Sequence, residues 1–204
     1  TVSGSALGTG GSIDAGDGTD TLTMTAANAT AADASTAFAD TISNFERLSV
    51  TGLTTQAIDL ANLDAINYVT VAGTVNNAAS IGGALTGIAV NTAASTTALG
   101  VVLTTPAGTA DEVTFATEGT AAVTHTALTL DGFETINFTT DDSANKTVTT
   151  TATTGVEHAV TTLNADKATT INVSGDAGLT IGTYADTTLT TFNASGVTAS
   201  TTGT

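Results

Sequence analysis

Short runs in which an apolar residue alternates with Thr recur along the whole chain, and this pattern limits the fold more than any other feature. They are Thr21–Thr25 (TLTMT), Arg47–Thr51 (RLSVT), Asn67–Ala72 (NYVTVA), Gly100–Thr104 (GVVLT), Glu112–Ala116 (EVTFA), Thr135–Thr139 (TINFT), Thr169–Val173 (TTINV) and Thr188–Phe192 (TLTTF). Gly, Asn, Asp or Ser separates them, which is the signature of strands joined by turns. Thr makes up about a quarter of the 204 residues, and its branched Cβ favours strands. An Ala-rich helical protein of this size would carry many Glu, Lys and Arg on its exposed faces, yet the basic residues here are Arg47, Lys146 and Lys167 alone. The expectation is an all-β chain, with a short helical turn in each of Ala34–Leu48 and Leu60–Tyr68.

Internal echoes choose among the β architectures. DTLTM at 20–24 followed by ISNFERLSV at 42–50 returns as DEVTF at 111–115 followed by LDGFETINF at 130–138, the Phe-Glu pairs lying 88 residues apart. GVEHAV at 155–160 is a weaker third echo, and INVSG at 171–175 returns as FNASG 21 residues later. The segment 1–204 thus divides into sub-repeats 1–107 and 108–204. A period near 20 residues with one or two strands per turn is what parallel solenoids show, because each coil buries its apolar face on the next. A right-handed parallel β-solenoid, or β-helix, is therefore expected in preference to a sandwich. An apolar-Asn dipeptide recurs at Ile66-Asn67, Ile136-Asn137, Leu163-Asn164, Ile171-Asn172 and Phe192-Asn193. Asn at equivalent turns can stack into a hydrogen-bonded ladder and tolerates left-handed corners, although it favours turns in any β protein. No cap for the open ends of a solenoid is visible near either terminus.

Charge narrows the function. The formal net charge is −16, from 19 acidic residues against three basic ones. Such a surface repels phosphate backbones and anionic bilayers, which argues against nucleic-acid and membrane-surface binding. The carboxylates also repel one another unless a cation joins them, and calcium, a hard cation preferring oxygen ligands, is the natural candidate. The chain has no Cys, as is common in exported bacterial surface proteins, and no apolar run near 18 residues. It lacks a starting Met and a signal-like segment, and reads as part of something longer.

Residues 10–24, GGSIDAGDGTDTLTM, carry three Asp within seven residues. Within them AGDGTDTLT matches the calcium-binding nonapeptide G-G-x-G-x-D-x-U-x, with Ala15 replacing the first Gly. Gly16 and Gly18 take the glycine positions, Asp20 the acidic one and Leu22 the buried one. Ile13 stands nine residues before Leu22, as the register requires, but Gly11 stands nine before Asp20. One good copy supplies half a site, because calcium in such repeats takes oxygens from successive turns. The remaining ligands would come from Asp14, from Asp17 or from a segment distant in sequence; the competing reading is a solvated Asp-Gly turn entering a strand. Asp111 in GTADEVTF precedes its strand as Asp20 does and is a weaker candidate. TDDSAN at 140–145 and GDAG at 175–178 read as exposed turns. The candidate metal ligands are thus Asp14, Gly16, Asp17, Gly18, Asp20 and Asp111.

Other chemistries are poorly supported. His125 and His158 lie in strand-like runs, where a half-exposed structural imidazole is the ordinary expectation. Neither a zinc pattern nor a hydrolase nucleophile motif is visible, so no catalytic residue is assigned. Glu46, Glu134 and Glu157 recur at matched points of the echoes, as a structural corner would.

The order GDGTD, TLTMTAAN, NFERLSVTG, GFETINFTT and TTLTTFNASGVTAS resembles the C-terminal lattice-forming region of calcium-dependent, RTX-type surface-layer (S-layer) proteins of Caulobacter-type bacteria. The resemblance spans essentially all 204 residues in order. It implies a type I-secreted, extracellular, non-catalytic protein that binds many calcium ions and self-assembles into a two-dimensional lattice on the bacterial cell surface. In that family the lattice is hexameric and a separate N-terminal domain anchors it to lipopolysaccharide, so this segment is expected to make no direct membrane contact. Carried over by motif, the calcium role falls on Asp17, Gly18 and Asp20; no full motif extends it to Asp14, Asp111, Asp141 or Asp142. The alternative is an extender segment of a secreted calcium-binding RTX adhesin. A third reading, a secreted enzyme bearing a calcium-binding roll, needs a catalytic domain outside this segment.

Overall fold

The computed structural model describes residues 10–53, 55–64, 66–72, 75–83, 87–92, 94–103, 106, 108–143 and 155–198. Thr104, Lys146 and the end of TDDSAN lie outside them. The strands in chain order are β1 (Ile13–Asp14), β2 (Thr21–Thr25), β3 (Ile42–Ser43), β4 (Arg47–Thr51), β5 (Ala57–Asp59), β6 (Tyr68–Ala72), β7 (Val75–Gly83) and β8 (Gly87–Thr92). They continue with β9 (Thr96–Leu103), β10 (Glu112–Gly119), β11 (Thr124–Asp131), β12 (Thr135–Asp142), β13 (Glu157–Asn164), β14 (Thr170–Gly175), β15 (Gly178–Tyr184) and β16 (Thr191–Val197). Among the described residues, two helices, α1 (Ala26–Asp33) and α2 (Thr36–Ala39), and a 3₁₀ turn at Leu60–Asn62 complete the inventory.

The chain is mostly β, and its sheets are parallel. The even-numbered strands β2 to β16 form one eight-stranded sheet in chain order, the odd-numbered strands β5 to β15 form a six-stranded sheet, and β1 pairs with β3. From β4 onward each strand lies in the opposite sheet from its predecessor. A parallel pair needs a crossover of a dozen residues or more, and here a strand of the other sheet supplies it where α/β folds use a helix. Paired residues of neighbouring strands stand 20 to 29 residues apart, and 35 apart in the pairs β11–β13 and β12–β14. This arrangement is compatible with a parallel solenoid.

Inward positions stack in register. Leu22, Leu48 and Val69 form one buried column, and Phe115, Phe138 and Val173 continue it in later coils. A neighbouring column changes character along its length: Met24, Val50 and Val71 give way to the buried hydroxyls of Thr92, Thr117 and Thr140. Thr140 Oγ1 donates to the Ala177 carbonyl at 2.8 Å, and Thr92 Oγ1 donates to that of Ala94 at 3.1 Å. On the outward face Asn137, Asn172 and Asn193 are in register, and Asn172 Nδ2 donates to Asn137 Oδ1 at 2.8 Å. The expected Asn ladder thus exists in part, but in mid-strand and not at corners. Among the described residues, the left-handed non-glycine residues are Asn44 and Asp64, outside the ladder.

Both expected helical turns are present, as α2 and the 3₁₀ turn, but the longer helix α1 lies ahead of them. Its sequence AANATAAD is dominated by the best helix former, and Thr25 caps it by accepting the Asn28 N–H at 3.2 Å. Ala26, Ala29 and Ala32 are buried. Asp33 Oδ2 accepts the Asp59 N–H at 2.7 Å and Thr30 Oγ1 donates to the Ala57 carbonyl at 3.3 Å, so α1 covers the terminal strand β5 of the six-stranded sheet. This corrects the expectation that neither end carries a cap: a covered edge cannot template a foreign strand. At the other end β16 is exposed throughout, and Ile171, Leu179, Ile181, Tyr184, Leu189 and Phe192 line an open apolar cleft of about 260 Å³.

Replacing the fully buried Ala29 by Glu is expected to destabilise the fold by at least about 2 kcal/mol, because a charge would lie unpaired beneath α1. Urea unfolding measures the loss, and size-exclusion chromatography should show association through the uncovered β5.

Candidate functional site

The nonapeptide loop is built as its glycines predict. Gly16 and Gly18 have φ of +83° and +131°, conformations closed to most side chains, and they turn the chain into β2, where Leu22 is buried. β1 ties the loop to the next coil, with Ile13 opposite Ile42 and Asp14 opposite Ser43. Asp14 Oδ1 accepts Asn44 Nδ2–H at 2.6 Å and the Gly16 N–H at 3.0 Å. The Asn44 bond, with help from Gly16, holds this exposed carboxyl below its ordinary pKa. Asp17 and Gly18 are exposed, whereas Asp20 is half-buried and its carboxylate folds back beside Gly18. The segment distant in sequence that meets this loop is therefore 42–46.

Its main group is Glu46. The Asp20 N–H donates to Glu46 Oε2 at 2.8 Å, while the Asp20 carbonyl accepts the N–H groups of Glu46 and Arg47. Asp111 repeats this geometry: its N–H donates to Glu134 Oε2 at 2.9 Å, and its carbonyl accepts from Glu134 and Thr135. The next coil completes each unit. Asp64 Oδ2 accepts the Phe45 N–H and Asp166 Oδ1 the Gly132 N–H, both at 2.8 Å. Asn44 and Gly132, equivalent in the two echoes, both have positive φ. The repeated Phe-Glu corner is thus one staple made twice, each spanning three coils. Glu157 does not repeat it, lying in β13 and accepting the Thr180 hydroxyl.

Asp111 differs from Asp20 in depth. It is 1% exposed, and its Oδ2 has no hydrogen-bond partner. A buried carboxylate oxygen without a donor is costly and calls for an explanation. Among the described residues no three His, Cys, Asp or Glu side chains are gathered closely enough to hold a metal ion by themselves. The candidates fall into two places, the 14–20 loop with Asn44 and Glu46, and Asp111 with Glu134. Both offer the hard oxygens calcium takes, and calcium accepts carbonyl and water oxygens as well as carboxylates.

Two expectations about exposure fail. His125 and His158 are fully buried, not half-exposed. His125 Nδ1 and Nε2 meet the hydroxyls of Thr96 at 2.9 Å and Thr117 at 3.1 Å, and Phe115 packs edge-on against the ring. Burial, reinforced by His158, lowers its pKa to about 4. TDDSAN is not a wholly exposed turn either, since Asp142 is buried, its Oδ2 accepting the Val156 N–H and its own N–H donating to Asp176 Oδ1. Asp33 and Asp131 are pushed above the ordinary carboxylate range by burial first, then by Asp59 and by Asp166 and Asp186 respectively. Sequence reasoning flagged Glu46 and Glu134 as corners but missed Asp64 and Asp166. The available signal was the shared turn, Leu63–Ile66 and Ala165–Ala168, each closed by a backbone bond with Asp second.

Glu134→Ala should cost roughly 1–3 kcal/mol by leaving the Asp111 N–H without its acceptor, against well under 1 kcal/mol for exposed Glu157→Ala, both read from urea unfolding. For His125 the folded pKa lies below the unfolded one, so stability falls as pH drops from about 6.5 to about 4, by on the order of 3 kcal/mol. Asp33 and Asp131 act in the opposite sense. NMR titration should therefore place the His125 inflection near 4, and a His125→Gln variant should lose this share of the acid sensitivity. No family model, curated protein or solved structure matches the chain.

Proposed function

We propose that this chain is a structural, non-catalytic segment of a calcium-dependent surface array, a right-handed parallel β-solenoid that self-associates into a two-dimensional lattice outside the cell. The observation that carries the reading is Asp111, a fully buried carboxylate with an unpartnered oxygen beside Glu134, in a chain of net charge −16. A cation there would partner that oxygen and offset part of the chain's excess negative charge. The residues that would hold calcium are Asp111 with Glu134, and Asp14, Asp17 and Asp20 with the carbonyl-bearing turns at Gly16 and Gly18. The alternation of parallel strands between two sheets supports the solenoid. Both imidazoles are buried with both ring nitrogens engaged, which favours structural over acid–base roles for them.

A second reading, an extender segment of a secreted adhesin, is favoured by the open β15–β16 end, where Phe192 is 56% exposed and further coils could stack. The two readings differ in the assembly formed: sheets for a lattice, isolated rods for an extender.

Calcium at a hundredfold excess over its dissociation constant should stabilise the chain by about 2.7 kcal/mol per site, and chelator should remove this. Thermal unfolding by circular dichroism, sedimentation and electron microscopy, each with calcium and with chelator, test it. Asp111→Asn should lessen the calcium response without loss of fold in chelator. Unchanged stability and sedimentation across the two conditions would refute the calcium reading.

A further inference from the structure

We propose that His158 is an acid-sensitive latch: neutral, it ties the turn after β10 to the end of β12, and its protonation releases that corner ahead of the rest of the fold. The ring is 0% exposed and is held at both nitrogens. Nδ1 faces the Val123 N–H at 3.1 Å, so it must be an acceptor. Nε2 therefore carries the proton and donates to the Asp141 carbonyl at 3.1 Å. A second proton on Nδ1 would confront the Val123 N–H donor with another donor, and the bond would be lost as a charge appears in a closed corner.

The corner has little room to adjust. A Cβ on Gly119 would lie 3.6 Å from His158 Cε1 and 2.8 Å from the Ala121 carbonyl oxygen, so ring and turn fill the space together. The strand that carries the ring also depends on this turn, since the Ala159 N–H donates to the Val123 carbonyl at 2.9 Å. His125 behaves differently. Its nitrogens meet two Thr hydroxyls, which can rotate to accept, so a second proton there removes no partner. The titratable groups on the surrounding elements are Glu112 and Glu118 on β10, His125 and Asp131 on β11, Asp141 and Asp142 on β12, Asp176 after β14, Tyr184 on β15, and Glu157 on the same strand. Asp142 and Asp176 brace the corner through backbone N–H groups.

The test is hydrogen exchange on the whole chain at pH 7 and pH 4.5, with protection corrected for intrinsic rates. Protection at Val123 and Ala159 is expected to fall by at least about tenfold more than that of β4 and β6, which should lose only the share common to the whole fold that His125 sets. A His158→Gln variant can still accept from Val123 and donate to Asp141, and its protection there should fall by no more than that of β4 and β6. Nitrogen chemical shifts of the wild-type ring supply a second readout that needs no variant, the Nε2–H tautomer at pH 7 giving way to imidazolium as Val123 opens. Equal loss in all coils, unchanged protection at Val123, or a ring that stays neutral until global unfolding would each overturn the latch.

Discussion

A parallel strand that turns into the opposite sheet leaves backbone N–H groups at its corner that no ladder can accept, and in this protein carboxylates of neighbouring coils take them. Glu46, Asp64, Glu134, Asp166, Asp33, Asp142 and Asp176 each accept a main-chain N–H from another part of the chain. Such charge-assisted bonds are stronger than neutral ones, and an unmet corner N–H would cost as much as a lost hydrogen bond. The acidity of the chain thus has a structural origin besides any cation: the negative groups hold successive coils in register where the sheets themselves cannot.

The arrangement explains why the internal echo takes the form it does. A left-handed residue, a Phe and a Glu recur because the corner needs a reversal, a core anchor and an acceptor for the preceding coil. Asn44, Phe45 and Glu46 supply these once, and Gly132, Phe133 and Glu134 again. Between the staples the interior shifts from Met24, Val50 and Val71 to Thr92, Thr117 and Thr140. His125 is found among these hydroxyls, meeting Thr96 and Thr117, whereas main-chain groups of Val123 and Asp141 hold His158.

What could be read from the sequence follows this division. The alternating Thr runs at 21–25 and 47–51 coincide with β2 and β4, and most others fall on the same eight-stranded sheet, one of whose inward columns is apolar from Leu22 to Val173. The six-stranded sheet is less legible, since strands such as VNNAASIGG and EHAVTTLN mix small and polar residues and show no clean alternation. The nonapeptide turn was legible because its glycines are needed for φ. Asp111 was visible only as a residue before a strand, because its depth depends on coils remote in sequence. The burial of His125 and His158 was not legible for the same reason: their partners Thr96, Thr117, Val123 and Asp141 come from three other segments.

The coil that runs from β12 to β14 is longer than its neighbours, yet Thr135 to Thr140 meet Thr170 to Gly175 without a break in register. The greater length of chain between these two strands leaves this ladder in register. A protein built this way can accept insertions between β12 and β13 as independent modules, gaining new surface there while the stacked columns keep the same spacing.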